Sequence, residues 1–187
     1  MSKNALFEIA CWPWGGEYRP KAYAKMQEIP GGIEIRLWCE EVFAPPACTE
    51  DGGPVYLDSC LEAFMAFYPE AGDAYINFEM NAAGALLMQF GPERAGRCAL
   101  EKTNDGPFVT PFSDDASWGV QLDVPFAFVQ KVYGMPAPPR IERIRGNFYK
   151  CGAVAGREHH ACWAPIRTPA PDFHRPEFFQ PLCPVTR

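Results

Sequence analysis

Residues 74–82 read Ala-Tyr-Ile-Asn-Phe-Glu-Met-Asn-Ala, and this stretch decides the fold. Its apolar residues Ile76 and Phe78 alternate with the polar residues Asn77 and Glu79. Because successive side chains of a β-strand point to opposite faces, a period of two predicts a half-buried strand. Asparagine is a poor strand former, so the polar side of this strand is unusual. The stretch therefore predicts a strand with one core face and one strongly polar face.

Three other stretches, residues 32–40, 58–67 and 141–150, alternate in the same way. One side of each is apolar, and the other carries amides, carboxylates, guanidinium groups and a few aromatic rings. The chain has 20 prolines and 16 glycines, and their spread between such stretches is typical of short strands joined by turns. Strands of this number and spacing predict an all-β fold, a two-sheet antiparallel β-sandwich. A length of 187 residues suits a single domain over residues 1–187.

We expect the polar sides of the four strands to share one surface, which we call the predicted polar face. A sugar offers an array of hydroxyl groups and apolar C–H patches on its ring. Its site therefore needs paired donors and acceptors beside an aromatic plate, and these residue types are present. The residues predicted to line this face are Arg36, Trp38, Glu62, Asn77, Glu79, Arg145, Asn147 and Tyr149.

Charge and hydropathy exclude several other classes of partner. The net charge is -6 with a pI of about 5.1, and no dense cluster of Lys and Arg occurs, so we expect no nucleic-acid partner. The longest apolar runs, such as residues 82–88, are too short to cross a bilayer, so we expect no membrane partner. The N-terminus lacks the apolar segment of a signal peptide, which predicts a cytoplasmic location.

The chain contains eight cysteines, a number that in a secreted protein would suggest four disulfides. In a reducing cytosol we expect mostly free thiols that pack as small apolar side chains. No pair has CxxC spacing, and the spacing of Cys151, His159, His160 and Cys162 matches no standard zinc site, so no metal centre is predicted. The cysteines are Cys11, Cys39, Cys48, Cys60, Cys98, Cys151, Cys162 and Cys183.

Several motifs along these strands resemble the family 9 carbohydrate-binding modules, and they look closest to a stand-alone bacterial branch of that group. The similarity spans nearly the whole chain. The motifs around Asn77 and Asn147 are specific when they are taken together. The motifs are PVYLDSCLEAF at 54–64, YINFEMN at 75–81, GNFYKCG at 146–152, WAPI at 163–166 and DFHRPEFF at 172–179.

This resemblance implies a jelly-roll β-sandwich that binds a mono- or oligosaccharide, often at its reducing end. Two tryptophans clamp the sugar ring in such modules, polar residues bind its hydroxyls, and calcium is often a structural ion. The modules are commonly attached to glycoside hydrolases, so the resemblance also implies a glycoside hydrolase as a partner. The sequence departs from the family at Ala153, where an aspartate is expected, and this weakens the case for a polar contact or an ion there.

The resemblance also assigns roles to individual residues. Glu62 falls where the family places a ligand-binding acid, and Asn147 falls where it places an amide. Arg97 is the candidate for the family's arginine. Trp38 and Trp163 are the best pair for the aromatic clamp, although their local contexts do not match it well.

Two alternatives to sugar binding stay open on the sequence alone. Glu62 and Glu79 could lie on neighbouring strands at a carboxylate spacing that suits a glycoside hydrolase or a related lyase. In the other alternative the polar face is merely solvated and the chain is a protein–protein interaction module. Calorimetry with sugars, assays of glycoside turnover and a structure of the face separate the three hypotheses.

Overall fold

The alternating stretches form strands in a computed structural model that describes residues 5–42 and 45–182, so Cys183 lies outside the described residues. The strands are β1 (Ala5–Glu8), β2 (Lys21–Ile29), β3 (Gly32–Glu40), β4 (Cys60–Ala66), β5 (Tyr75–Asn81), β6 (Leu86–Gly91), β7 (Cys98–Ala99), β8 (Phe108–Ser113), β9 (Trp118–Pro125), β10 (Arg145–Gly152), β11 (His159–Cys162) and β12 (Gln180–Pro181). One α-helix, α1 (Phe126–Tyr133), and three short 3₁₀ helices at Val55–Leu57, Ile141–Arg143 and Pro176–Phe178 complete the described elements.

These strands pair into two antiparallel sheets. The first sheet has the order β1-β2-β3-β9-β8, and the second has the order β11-β10-β4-β5-β6-β7 with β12 added beside β10. The predicted two-sheet β-sandwich is confirmed. The inner faces supply one continuous buried cluster, to which β3 contributes Ile35 and Leu37 and β5 contributes Ile76 and Phe78.

Two predictions about secondary structure need correction. The all-β prediction included no helix, yet α1 forms between Pro125 and Gly134, whose φ of 66° ends it in the left-handed region. Eight residues are too few for a helical period to stand out. The strand predicted over 141–150 begins only at Arg145, because its partner β4 ends at Ala66, directly opposite. No helix in the described part of the chain is long and apolar enough to span a membrane.

The C-terminal segment covers part of the outer face of the second sheet. The Phe173 ring stacks on Tyr149 at 4.1 Å between centroids, and the Phe179 ring packs edge-on against Tyr75 at 5.1 Å. Every residue of β5 is buried, and on its outer face this segment covers Tyr75. The outer face is thereby divided into an apolar part under this segment and a polar part that stays open.

A buried ion pair lies between the two sheets. The Lys150 ammonium group is fully buried, at 3.4 Å from a Glu41 carboxylate oxygen. It also donates to Ser59 Oγ at 2.7 Å and to the Cys151 carbonyl at 3.1 Å. The His159 Nδ1–H donates to the Arg157 carbonyl, which leaves Nε2 to accept from Lys150 at 2.7 Å. Each proton of the ammonium group therefore has an acceptor.

The carboxylate of this pair is held in its charged form. Burial alone would raise the pKa of Glu41, but the Lys150 ammonium and hydrogen bonds donated by Ser59, Trp118 and Tyr18 outweigh it and lower the pKa to about 2. Burial together with the nearby Lys150 charge lowers the pKa of His159 to about 4, so its ring is neutral at physiological pH. The buried group therefore consists of the Glu41 anion, the Lys150 cation and the neutral His159 imidazole.

A pH dependence of stability follows from Glu41. Because its pKa in the folded state is depressed, its contribution is fully present above the ordinary value of 4.5 and is lost as the pH falls towards about 2. We expect the difference in unfolding free energy between the unchanged chain and a Glu41→Gln variant to shrink by on the order of 2 kcal/mol across this window. Urea unfolding at a series of pH values measures this difference, and a difference that stays constant would contradict the assignment.

Candidate functional site

A cavity of about 540 Å³ opens on the polar part of the outer face of the second sheet. Four strands supply its floor through outward-pointing side chains, because positions two apart on a strand share a face. The floor residues are Glu62 and Phe64 on β4, Glu79 on β5, Leu87 and Gln89 on β6, and Cys151 on β10. The walls come from residues 52–56 on one side and residues 171–174 on the other.

Two carboxyl groups dominate the chemistry of the floor. Glu62 and Glu79 are direct partners across β4 and β5, and both are buried. The Cys151 thiol donates to Glu62 Oε1 at 2.9 Å, and Asn77 Nδ2 donates to Glu79 Oε1 at 2.9 Å. Burial raises the pKa of Glu62 well above its usual range, with further contributions from Cys151 and Glu79. Burial also raises the pKa of Glu79, to about 7, so this carboxyl can present either a donor or acceptors near neutral pH.

An arginine beside the floor holds Glu79 in position through Asn77. Arg97 Nε donates to Asn77 Oδ1 at 3.0 Å, and Asn77 in turn donates to Glu79. The other guanidinium nitrogens of Arg97 donate to the carbonyl groups of Tyr75, Gln89, Gly91 and Glu93 at 2.9–3.1 Å. Arg97 therefore ties β5 to the chain that follows β6, and it acts on the cavity through Asn77.

The walls supply aromatic surface. The Tyr56 side chain is 46% exposed at the mouth of the cavity, and Phe173, His160 and His174 line the opposite side. The Tyr75 hydroxyl and His174 Nδ1 lie 2.7 Å apart, which fixes the His174 ring. The cavity thus combines polar groups on its floor with ring faces on its walls.

A buried aspartate anchors the wall that carries Tyr56. The carboxylate of Asp58 accepts hydrogen bonds from the backbone N–H groups of Ala47 and Cys48 and from Asn81 Nδ2. Asn81 Oδ1 accepts from two further backbone N–H groups in the turn after β5. Asn81, which the sequence placed on the polar side of β5, therefore shapes the turn and the wall.

The predicted polar face is wrong in one respect, since its members come from both sheets. Arg36 and Trp38 lie on the outer face of the first sheet, on the far side of the sandwich from the cavity. The Trp38 ring stacks on Tyr23 at 5.4 Å, and the Arg36 guanidinium lies over the Phe112 ring at 4.2 Å. Alternation along β3 determined which side chains share its polar side, but it carries no information about which sheet β3 joins.

Three residues predicted on β10 lie on the second sheet but outside the cavity. Asn147 is fully buried, and it donates to the Ala164 carbonyl at 2.8 Å and accepts from the backbone N–H groups of Ala164 and Phe148. Tyr149 is also fully buried, and its hydroxyl donates to the Phe173 carbonyl at 3.1 Å. The exposed Arg145 donates to the Phe179 carbonyl at 2.7 Å. These side chains hold the C-terminal segment on the sheet.

The second predicted tryptophan does not face the cavity either. The Trp163 ring packs edge-on against Phe7 at 4.7 Å and lies beside Phe148, which belongs to the core between the sheets. Trp38 and Trp163 therefore lie apart, and no tryptophan lines the cavity among the residues that the structure describes. Of the predicted residues, Glu62 and Glu79 line the cavity, and Asn77 and Arg97 support them.

Sequence reasoning missed several residues of the cavity. Gln89 lies on the same face as Glu79, and the alternation over 86–91 could have indicated it. Cys151 shares the outward side of β10 with Tyr149, but it was interpreted as a small packing residue. The wall residues Tyr56 and His174 lie in segments without a period, so no sequence signal places them.

The calcium ion implied by the family resemblance does not fit the acidic groups that converge here. Within residues 5–42 and 45–182, one group of three Cys, His, Asp or Glu side chains converges, and it consists of Cys60, Glu62 and Cys151. Calcium prefers six to eight oxygen ligands, whereas this group offers two sulfur atoms. Its donor set therefore does not suit calcium.

The fold and the site together define a β-sandwich binding module with a small polar and aromatic cavity on one sheet. The sequence matches the model of Carbohydrate-binding family 9 over residues 2–183, and the chain therefore belongs to this family. Family membership confirms the predicted carbohydrate binding, and it does not favour the hydrolase and protein-interaction alternatives. The comparison with curated proteins found no match.

Solved structures support the same fold. A crystal structure of a candidate carbohydrate-binding protein from Bacteroides uniformis ATCC 8492 superposes with a TM-score of 0.79 at 26% identity, and the match covers 94% of this chain and 84% of that chain. A family 9 module from Caldicellulosiruptor kristjanssonii in complex with glucose gives a TM-score of 0.61 at 8% identity, with 93% and 81% covered. A second such structure, with cellotriose, gives 0.56 at 7% identity, with 85% and 73% covered. At these identities the two Caldicellulosiruptor structures show the fold alone.

Proposed function

We propose that the cavity above Glu62 and Glu79 is the carbohydrate-binding site of this chain, and that it takes a mono- or oligosaccharide by one sugar unit. The observation that carries this proposal is the coincidence of two carboxyl groups, an amide and aromatic walls around one cavity of about 540 Å³. Proteins usually hold small ligands in cavities of roughly 300–1,000 Å³. The size of the cavity and the groups that line it therefore both suit a sugar unit.

The polar floor suits an array of hydroxyl groups. Glu79 uses Oε1 to accept from Asn77, which leaves its other carboxyl oxygen directed to the cavity it lines. The half-buried Gln89 side chain, on β6 opposite Asn77, shares this face and offers both a donor and an acceptor. Arg94 at the rim has its nearest charged partner, Asp172, at 3.9 Å, so its donors stay available. Neighbouring hydroxyls of a sugar can pair with these groups.

The ring faces of the walls suit the apolar side of a sugar. Tyr56 and Phe173 flank the polar floor from opposite sides. Aromatic rings bury C–H surface at low cost in conformational entropy, because their side chains have few rotatable bonds. In this arrangement Tyr56 and Phe173 take the place that Trp38 and Trp163 had in the sequence-based hypothesis.

Relatives support a saccharide as the ligand. The Caldicellulosiruptor modules hold glucose and cellotriose in their own structures. We extend this class of ligand to the present chain, whose fold and family are the same. A glycoside hydrolase partner, a role in carbohydrate catabolism, a bacterial source and a cytoplasmic location stay predictions from the sequence.

A glycoside hydrolase reaction at the same cavity is less well supported. Retaining enzymes need one carboxylate as nucleophile and one carboxylic acid as proton donor. Burial raises the pKa of both Glu62 and Glu79, and the Cys151 thiol occupies an oxygen of Glu62. Neither carboxyl group is therefore favoured in the ionised form that a nucleophile requires.

Replacing the floor carboxyl group tests the proposal. At about pH 8, where a carboxyl group with a pKa of about 7 is mostly ionised, we expect Glu79→Gln to weaken sugar binding by about 10–150-fold, because a hydrogen bond to a charged group contributes roughly 1.5–3 kcal/mol. The isosteric change keeps an acceptor for Asn77, so the fold is preserved. A glycan array identifies the sugar, and isothermal titration calorimetry of both proteins then gives the ratio of dissociation constants.

Two control variants separate this cavity from other surfaces. Glu28→Gln changes an exposed carboxylate on β2, and Trp38→Ala removes the aromatic plate of the first sheet. Both should bind the sugar within about twofold of the unchanged chain, a difference of roughly 0.4 kcal/mol. A loss of affinity in Trp38→Ala with none in Glu79→Gln would move the site to the first sheet. Failure of the unchanged chain to bind any sugar at millimolar concentration would overturn the proposal altogether.

A further inference from the structure

Two thiols and a carboxyl group converge at the cavity, where Glu62 and Cys151 belong to the floor and the buried Cys60 lies next to them. The ligand atoms of Cys60, Glu62 and Cys151 all lie within 4.8 Å of one another, and all three residues are buried. We propose that this group, the Cys60–Glu62–Cys151 cluster, is a binding site for a thiophilic divalent metal ion such as zinc. Thiolate sulfur is the ligand that selects zinc and its heavier relatives over calcium and magnesium.

The sheet holds the three donors in place before any metal binds. Cys60 and Cys151 are direct partners across β4 and β10, and Glu62 lies two residues further along β4 on the same face. Cys60 and Cys151 belong to the central strands of the sheet, and backbone pairing fixes their spacing. Convergence therefore needs only rotation of side chains.

The distances fit a small tetrahedral ion. Zinc binds thiolate sulfur at about 2.3 Å, so two sulfur ligands at a tetrahedral angle lie about 3.8 Å apart. The cluster needs to contract by no more than about 1 Å from its present span to meet that value. The contact between Cys151 Sγ and Glu62 Oε1, now a hydrogen bond of 2.9 Å, would open to about 3.5 Å, the separation of sulfur and oxygen ligands on one tetrahedral zinc ion.

The bound state would carry a small net charge. On binding, each thiol releases its proton to solvent, as does the Glu62 carboxyl group where it is protonated, and each released site forms a bond to the metal ion. Two thiolates, a carboxylate and a divalent ion sum to a single negative charge. The Lys150 ammonium group donates to the Cys151 carbonyl at 3.1 Å from the other side of β10, but it already compensates Glu41, so the single negative charge stays with the bound ion and its ligands.

The fourth position of the ion would face the cavity. Glu62 and Cys151 both line the cavity, so a water molecule or another small ligand can reach a metal ion bound between them. An open fourth position is typical of zinc sites with three protein ligands. The metal site does not rest on sugar binding, because all its ligands belong to the chain itself.

Titration with cadmium in the absence of sugar tests the proposal. The reduced protein, stripped of metal by a chelator, should take up one cadmium ion and develop the ultraviolet absorption of a thiolate–cadmium bond. We expect Cys60→Ser and Cys151→Ser each to weaken this binding by more than about 100-fold, because loss of a mere outer-shell partner already costs about 10–100-fold. Circular dichroism verifies that both variants fold.

Control variants exclude the other thiols. Cys98 is exposed on β7, and the backbone of Cys11 forms a separate β-bridge with that of Cys162, while all three thiols are free. Cys98→Ser and Cys11→Ser should therefore bind cadmium as the unchanged chain does. Cadmium NMR of the unchanged chain should in addition show a shift typical of two sulfur ligands. No thiolate absorption in the reduced protein, binding lost only in Cys11→Ser, or a Cys60–Cys151 disulfide that persists in reductant would each overturn the proposal. Sugar calorimetry on metal-free protein is a separate experiment, so either proposal can fail alone.

Discussion

Replacing Lys150 by methionine is expected to lower the free energy of unfolding by about 3–5 kcal/mol, the cost of removing one partner of a buried ion pair. The change removes the only cation within 4 Å of Glu41 among the described residues. It also removes a donor from His159 Nε2 and from Ser59. The Glu41 carboxylate then stays buried without a compensating charge. Urea unfolding at neutral pH measures the loss.

A second change distinguishes this cause from lost packing. In the double variant Lys150→Met/Glu41→Gln no charge is left uncompensated, so we expect it to regain a large part of the lost stability. Lys21 is the matched control, since it forms an ion pair with Glu40 but is 69% exposed. Lys21→Met should therefore cost far less than Lys150→Met, because exposed ion pairs contribute little to stability. A loss of the same size in Lys21→Met and Lys150→Met would contradict the buried-pair explanation.

Replacing Arg97 by methionine is expected to cost about 3 kcal/mol or more of unfolding free energy and to weaken sugar binding as well. Each acceptor left without a donor costs roughly 1–3 kcal/mol, and the guanidinium group serves five of them. Asn77 also loses the hydrogen bond that fixes its amide group. Its Nδ2, which donates to Glu79, then becomes free to rotate. Thermal unfolding and sugar calorimetry on the same protein measure both effects.

Arg97→Lys and a change at the exposed Arg167 provide the comparisons for this experiment. Arg97→Lys keeps the charge but cannot reach five acceptors with one ammonium group, so we expect an intermediate loss of stability. Arg167 is exposed, and Arg167→Met should leave both stability and sugar affinity close to those of the unchanged chain. A fully stable Arg97→Met with normal affinity would show that Arg97 does not position the floor of the cavity.

Part of this site could be predicted from the sequence, because alternation is a local property. The period of two over β4 and β5 placed Glu62 and Glu79 on the side of each strand opposite the core, and the cavity contains both. The same rule placed Asn147 and Tyr149 on the outward side of β10. It could not indicate that the C-terminal segment would cover them. Whether an outward side chain meets solvent or another segment depends on residues far away in the chain.

The tryptophans show the same limit in another form. Trp38 shares the polar side of β3 with Arg36, as the alternation predicts, but β3 belongs to the first sheet. The walls of the cavity depend even more on tertiary structure, since Tyr56 and His174 come from segments without regular alternation. The sequence context of the aromatic residues therefore could not show which of them line the cavity.

The sequence by itself determined the strands, the β-sandwich class, the family and the two carboxyl groups, since each of these depends on local patterns or on motifs. Tertiary structure alone decided which polar sides meet, which of them the C-terminal segment covers, and where the cavity lies. It also brought the Cys151 thiol to Glu62, a residue 89 positions away in the chain. The physical reason is that strand pairing and coverage join distant residues, and a local period carries no information about such partners.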